Sequence, residues 1–165
     1  MPSIPETAAA RPRHFAQLLG FSYVRADAHE AVVEAMPLPE HCNERGIVHG
    51  GFLAALLDTT TGWAVHVALP EGTAAPHFQL TVQYLNVAVP GVTLTCVGRA
   101  TKSGRRTAAT DAEIFQDGKV VARAIAGHAV LQLSDVNSVA SQPVPCKWVA
   151  APAQNRIQRL RLPSR

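Results

Sequence analysis

The chain has 165 residues, 47% hydrophobic and 16% charged, with a formal net charge of +3. That is the size of one domain with a real core, and no uninterrupted apolar run is long enough to span a bilayer, so membrane insertion is not expected. Residues 133–165 hold Lys147, Arg156, Arg159, Arg161 and Arg165 against Asp135, a net +4 that leaves the rest of the chain near −1. A body so close to neutral, with no element that gathers basic residues, argues against a nucleic-acid partner.

Residues 1–12 are Pro- and Ala-rich and are expected to be a flexible amino terminus. The opening MPSIPETAAARPRHF lacks the basic-then-apolar order of a secretory signal. Cys42, Cys96 and Cys146 are widely spaced and odd in number, which does not suit a disulfide framework. A reducing, cytoplasmic location follows as the expectation. His14–Leu19 then predicts a short helix stopped by Gly20, and Phe21–Arg25 and Ala31–Met36 predict two short strands. Pro37 and Pro39 close the second strand.

The densest stretch runs from His41 to Pro70. From Phe52 to Leu69 it is apolar on nearly every side, which predicts a long helix covered all round. Thr59, Thr60, Thr61 and Gly62 are mediocre helix formers, so packing must hold it. Asp58 interrupts the run. A charged group buried there costs several kcal/mol unless it is paired, neutralised or left facing a cavity.

After Pro70-Glu71-Gly72 the period changes. Phe78, Leu80, Val82 and Tyr84 alternate with Gln79, Thr81 and Gln83, and Pro90-Gly91 turns the chain. Val92–Ala100 and Thr107–Phe115 alternate again, and Asp117-Gly118 marks a tight hairpin before a strand over Lys119–Leu133. These four strands predict a meander. One antiparallel sheet with one apolar helix to cover it gives an α+β fold. Residues 13–132 would form this domain, and 133–165 a basic, Pro-containing tail with one short helix over 155–162.

Asn43, Gly46, His49-Gly50-Gly51 and the Leu-Leu-Asp-Thr run at Asp58 together resemble the hotdog-fold thioesterases, and within them the PaaI-like acyl-CoA thioesterases. The resemblance continues through Thr81–Leu85, Gly104-Arg105 and Asp117–Ala122. It implies a curved antiparallel sheet wrapped round one long central helix, and hydrolysis of an acyl-CoA thioester with no metal and no cofactor beyond the coenzyme A of the substrate. Medium-chain aliphatic and phenylacetyl-type acyl groups are both compatible with it.

The residues support the same roles. The first N–H groups of a helix have no partner within it, and the helix dipole favours negative charge there. Gly50 and Gly51 would let a carbonyl approach that backbone, or else serve only tight packing at the helix start. By resemblance, the Gly50 N–H serves as oxyanion hole, with His49 shaping or polarising the site. Asp58 would act as general base or as nucleophile, or else be a buried aspartate bonded to the neighbouring threonines. Asn43 would hold the attacking water or the substrate, or else serve as a turn residue. His77 would add a polar contact to substrate or lie in solvent at the strand end. The turn Gly104-Arg105-Arg106 would meet the coenzyme A phosphates or be a solvated hairpin. His66 and His128 read as packed or surface residues.

Eight residues of helix separate Gly50 from Asp58, about 12 Å of rise. One thioester carbon cannot touch both within a subunit. An antiparallel two-fold pair would join Gly50 of one copy to Asp58 of the other, as family homodimers do, with a homotetramer as a further assembly. The rival readings are a non-catalytic acyl-CoA-binding hotdog domain, a Cys42–His49 nucleophile pair, a metal site of His41, Cys42, His49 and Asp58, and a hotdog dehydratase. The last would need a different Asp/His pairing, which the sequence does not display.

Overall fold

The computed structural model describes residues 15–27 and 30–134. The expected flexible stretch 1–12 and the tail from 135 onward, with its short helix over 155–162, lie outside the described residues. Helix α1 (Phe15–Leu18) ends at Gly20, whose φ of 69° a side chain would strain. Strands β1 (Phe21–Ala26) and β2 (Ala31–Ala35) follow, then a 3₁₀ turn at Pro39–His41 and the long helix α2 (Gly50–Ala68). Beyond it come β3 (Thr73–Ala74), β4 (His77–Tyr84), β5 (Leu94–Ser103), β6 (Thr107–Gln116), β7 (Lys119–Ala129) and β8 (Leu131–Gln132). No helix among the described residues is long and apolar enough to cross a membrane.

Six strands form one open antiparallel sheet in the order β1-β2-β5-β6-β7-β4, and α2 packs on one face of it. The β6–β7 turn has Asp117 and Gly118 both at positive φ, 48° and 73°, the mirror-type turn that matches strand twist. Inward residues Leu94, Cys96, Ala112, Ile114, Ala122 and Ala124 meet Phe52, Leu53, Leu56 and Leu57 of α2 in one core. The sheet floor is low where the helix crosses. A Cβ on Gly98 would stand 3.1 Å from the Thr60 carbonyl oxygen.

Three expectations are corrected here. Only β5, β6 and β7 meander; β4 pairs with β7 at the far edge, and β5 pairs with β2. The connection from β4 to β5 crosses the end of the sheet instead of turning tightly. Leu85 N and Asn86 N donate to Val121 O, and Gln116 bonds the backbone of Val89 and Val92. Secondly, α2 is not covered all round. The sheet buries Phe52, Leu53, Leu56, Leu57, Thr60, Thr61, Ala64 and Val65, while Gly51, Asp58 and His66 are exposed. Thr60 and Thr61 return their hydroxyls to Leu56 O and Leu57 O one turn back, so the buried threonines are satisfied within the helix.

The third correction is one of phase. In the β4–β7 pairing, His77 opposes His128 and Gln79 opposes Gly127, so Phe78 is an extra residue, a β-bulge. Leu80 and Val82 pack on the core, but Phe78 is 63% exposed and lays its ring over Gly127. His77 takes the inward place that regular alternation assigns to Phe78.

Candidate functional site

The two ends of α2 carry different chemistry. At its start, His49 is the N-cap, and its Nδ1 accepts from the Gly51 N–H at 2.9 Å. Gly51, expected to help bind substrate, therefore has its donor engaged within the chain. A Cβ there would lie 2.9 Å from His49 Nδ1, so the glycine makes room for the cap. Among the described residues the Gly50 N–H has no hydrogen-bond partner. Tyr84 reaches back from β4, its hydroxyl donating to Gly50 O at 3.1 Å and its ring lying against the Gly50 Cα.

Asn43 lies in the loop before this cap. Its N–H donates to Ile47 O, its carbonyl accepts from Gly46 N, and its Oδ1 accepts from Arg45 N at 2.9 Å. These are the bonds of a turn-forming asparagine, with Gly46 at φ 74°. A shallow groove beside it is lined by Cys42, Asn43, Ile47 and His49. The Cys42 thiol donates to Leu38 O at 3.6 Å. Cys96 is buried in the core, and burial pushes its thiol up to about 12, so it is chemically quiet. Among the described residues no group of three or more His, Cys, Asp or Glu side chains is gathered as a metal site would need.

Two turns along α2, Asp58 projects from the uncovered side with 56% of its side chain exposed. The chain resolves the cost of a charge in this helix by leaving the carboxylate open and giving it one polar neighbour. That neighbour is His77, which is 20% exposed and not in solvent: its Nδ1 lies 3.5 Å from Asp58 Oδ1 and its Nε2 2.9 Å from Thr61 Oγ1. Behind it stands His128, fully buried, with ring centroids 4.2 Å apart. His128 bonds Thr110 Oγ1 at 2.8 Å and Ala75 O at 3.2 Å. Burial, and secondarily the neighbouring His77, pushes the His128 pKa below its usual value.

The turn Gly104-Arg105-Arg106 joins β5 to β6 at this same end of the sheet. The Gly104 N–H donates to Thr107 O, and a Cβ on Gly104 would stand 2.8 Å from that oxygen, so its glycine serves the hairpin. Arg106 O accepts from Val130 N, two residues beyond His128. The fold thus gathers Asp58, His77 and the arginine turn at one end, and Asn43, His49, Gly50 and Gly51 at the other. Sequence reading offers neither Tyr84 nor His128 as a partner of these groups. Tyr84 and His77 bracket one strand, and only its pairing partners reveal which helix end each will meet.

Comparison with known proteins agrees with this architecture. The thioesterase superfamily profile matches residues 45–122. The acyl-coenzyme A thioesterase PaaI of Escherichia coli K12 is 32% identical over 108 residues, covering 65% of this chain and 75% of that protein. The solved structure of the E. coli PaaI protein superposes with a TM-score of 0.69 at 26% identity, covering 76% and 90% of the two chains. A Streptococcus mutans UA159 protein solved with bound acetyl-CoA gives a TM-score of 0.63 at 26% identity, covering 68% and 89%. With a curved, open antiparallel sheet on one main helix and relatives of this closeness, the chain belongs to the PaaI-like hotdog branch of the thioesterase superfamily and is a thioester hydrolase.

Proposed function

We propose that the chain hydrolyses an acyl-CoA thioester to a free carboxylic acid and coenzyme A. The observation that carries this reading is the pair of groups on α2: a Gly50 N–H at the helix start, unengaged among the described residues, and an open Asp58 carboxylate two turns on. The Gly50 N–H, aided by the helix dipole, would bind the oxygen of the thioester carbonyl as charge develops on it. Asp58 would take a proton from water as the new C–O bond forms; the C–S bond then breaks and the thiolate recovers that proton. In the alternative covalent route Asp58 attacks the carbonyl itself, the C–S bond breaks to release the thiolate, and water then cleaves the resulting anhydride and supplies the proton that the thiolate takes up. Asn43 would steady the water or substrate from the loop, and His49 would set the helix start. Neither a metal nor an organic cofactor has a role in either route.

Acyl-CoA as the substrate class is supported by what PaaI is named for and by the acetyl-CoA bound to the S. mutans protein. Arg105 and Arg106 would meet the coenzyme phosphates beside Gly104. His77 stands close enough to Asp58 to border the acyl group. Because Gly50 and Asp58 are about 12 Å apart along one helix, each site would combine Gly50 of one subunit with Asp58 of its two-fold partner. The edge position of β4, with Tyr84 exposed against the start of α2, suits such a homodimer; pairs of dimers would form a tetramer.

A thiol-release assay over acyl-CoAs with medium-chain aliphatic and phenylacetyl-type groups tests the reading. Turnover of at least one is expected. Binding without turnover throughout would favour the non-catalytic acyl-CoA-binding domain. Label entering the Asp58 carboxylate during a single turnover in ¹⁸O-water would identify the covalent route, since a general base acquires none.

A further inference from the structure

The β4 bulge decides which residue lies beneath the active carboxylate. Regular alternation would place Phe78 inward with Leu80 and Val82 and turn His77 to the outer face. The extra residue at Phe78 reverses this and aims His77 at α2, a re-aiming that bulges commonly perform beside active sites. Gly127 permits it, because a Cβ there would stand 2.6 Å from the Phe78 ring.

The hydrogen bonds then locate the protons. Thr61 Oγ1 lies 2.8 Å from Leu57 O and 3.1 Å from Asp58 O, two carbonyls that only accept. Its single proton goes to them, so its oxygen accepts from His77, and the His77 Nε2 bears hydrogen. On the other side of the ring, Nδ1 faces Asp58 Oδ1 at 3.5 Å. Lone pairs on both atoms would repel; one proton between them attracts. His128 cannot take that proton. Its Nδ1 already donates to Ala75 O, and its buried ring, lowered in pKa, stays neutral with Thr110 donating to Nε2. The titratable groups that face the His77 ring are Asp58 from α2 and His128 from β7.

We infer that His77 is a positioning residue of the thioesterase site: through one proton shared between Nδ1 and Asp58 Oδ1 it fixes the carboxylate, leaving Oδ2 for the water or the thioester carbon. Thr61, His128 and the bulge hold the ring in place. This rests on the reading of Asp58 as base or nucleophile, and it adds a role acting through Asp58 instead of on the substrate.

The test uses the full chain, with His77→Phe, His77→Gln and Asp58→Asn. His77→Phe should lower kcat about 100-fold with KM nearly unchanged, the scale expected when a reacting group loses its orientation. His77→Gln, which keeps a donor, should recover part of kcat, as a merely space-filling role would not require. Ring ¹⁵N resonances of His77 should move in Asp58→Asn while those of exposed His66 stay, a readout that needs neither turnover nor a folded His77 variant. Unchanged resonances would overturn the inference, as would wild-type kcat in His77→Phe. A raised KM with unchanged kcat would make His77 a substrate contact and overturn it too. An active Asp58→Asn sinks both readings, whereas an inactive Asp58→Asn beside an unaffected His77→Phe sinks this one alone.

Discussion

Asp58 is an open carboxylate whose one ion-pair partner among the described residues is His77, so its chemistry and its stability contribution separate. Asp58→Asn should cut kcat by about 10²–10⁴, the range for removal of a general base, while stability shifts by no more than about 0.5 kcal/mol. Thiol release and urea unfolding measure the two; near wild-type kcat would move the base elsewhere. Asn43 should behave in the opposite way. Its Oδ1 closes a turn onto Arg45 N, so Asn43→Ala should cost about 0.5–1.5 kcal/mol and lower kcat less than the Asp58 change. An Asn43→Ala chain of unchanged stability but abolished turnover would show that the turn is secondary.

At the scale of elements, two glycines show how the sheet admits what lies on it. Gly98 sits under α2, where a Cβ would meet Thr60 Cγ2 at 3.0 Å and Thr60 O at 3.1 Å. Backbone cannot swing away, so Gly98→Ala should destabilise by about 1–3 kcal/mol. Gly127 faces a closer clash, 2.6 Å, but with the ring of exposed Phe78. That ring can rotate into solvent, so Gly127→Ala should cost less despite the shorter distance. Urea midpoints of the two variants give the order. Gly127→Ala the more costly would mean that the Phe78 ring is pinned.

Two expectations belong to the whole molecule. The first is pH dependence through His128, which packs between sheet and helix and ties β7 to Thr110 and Ala75. Its folded pKa is lowered, so below its usual value the unfolded chain binds the proton more readily than the folded one. Stability should then be full above about pH 6.5 and fall as the pH drops below it, and His128→Gln should flatten that part of the curve. Urea midpoints across that range, wild type against variant, decide it; equal slopes would remove His128 as the cause. The second concerns assembly. Gly50→Pro removes the N–H at a helix position that accepts proline, although its Cβ must displace the Tyr84 ring from 3.3 Å. Mixed with Asp58→Ala under subunit exchange, each heterodimer would hold one doubly defective and one intact site. Up to half the activity per mixed dimer should return. No recovery despite demonstrated exchange would place both groups of a site in one chain.

Residues close together in sequence settled much of this protein without any fold. The period from Phe52 to Leu69 specified the long helix, Asp117-Gly118 the hairpin, and His49-Gly50-Gly51 the place where the helix starts, while the cap that His49 gives to Gly51 N came only with the structure. Asp58 stood out because a carboxylate in an apolar helix demands a reason. What the local pattern could not carry was pairing between distant residues. Period two over Phe78–Tyr84 fits a straight strand and a bulged one equally well, so the inward turn of His77 is decided only by its pairing with His128 and the open face of Gly127. The edge position of β4 is set by its pairing with β7, the long connection onward to β5 is held by Gln116 gripping Val89 and Val92, and the open side of α2 follows from a sheet that covers one face of it. Local backbone preferences act over a few residues, whereas the neighbours of Asp58 and Gly50 are set by contacts 19 and 34 residues away that exist only once the sheet has formed.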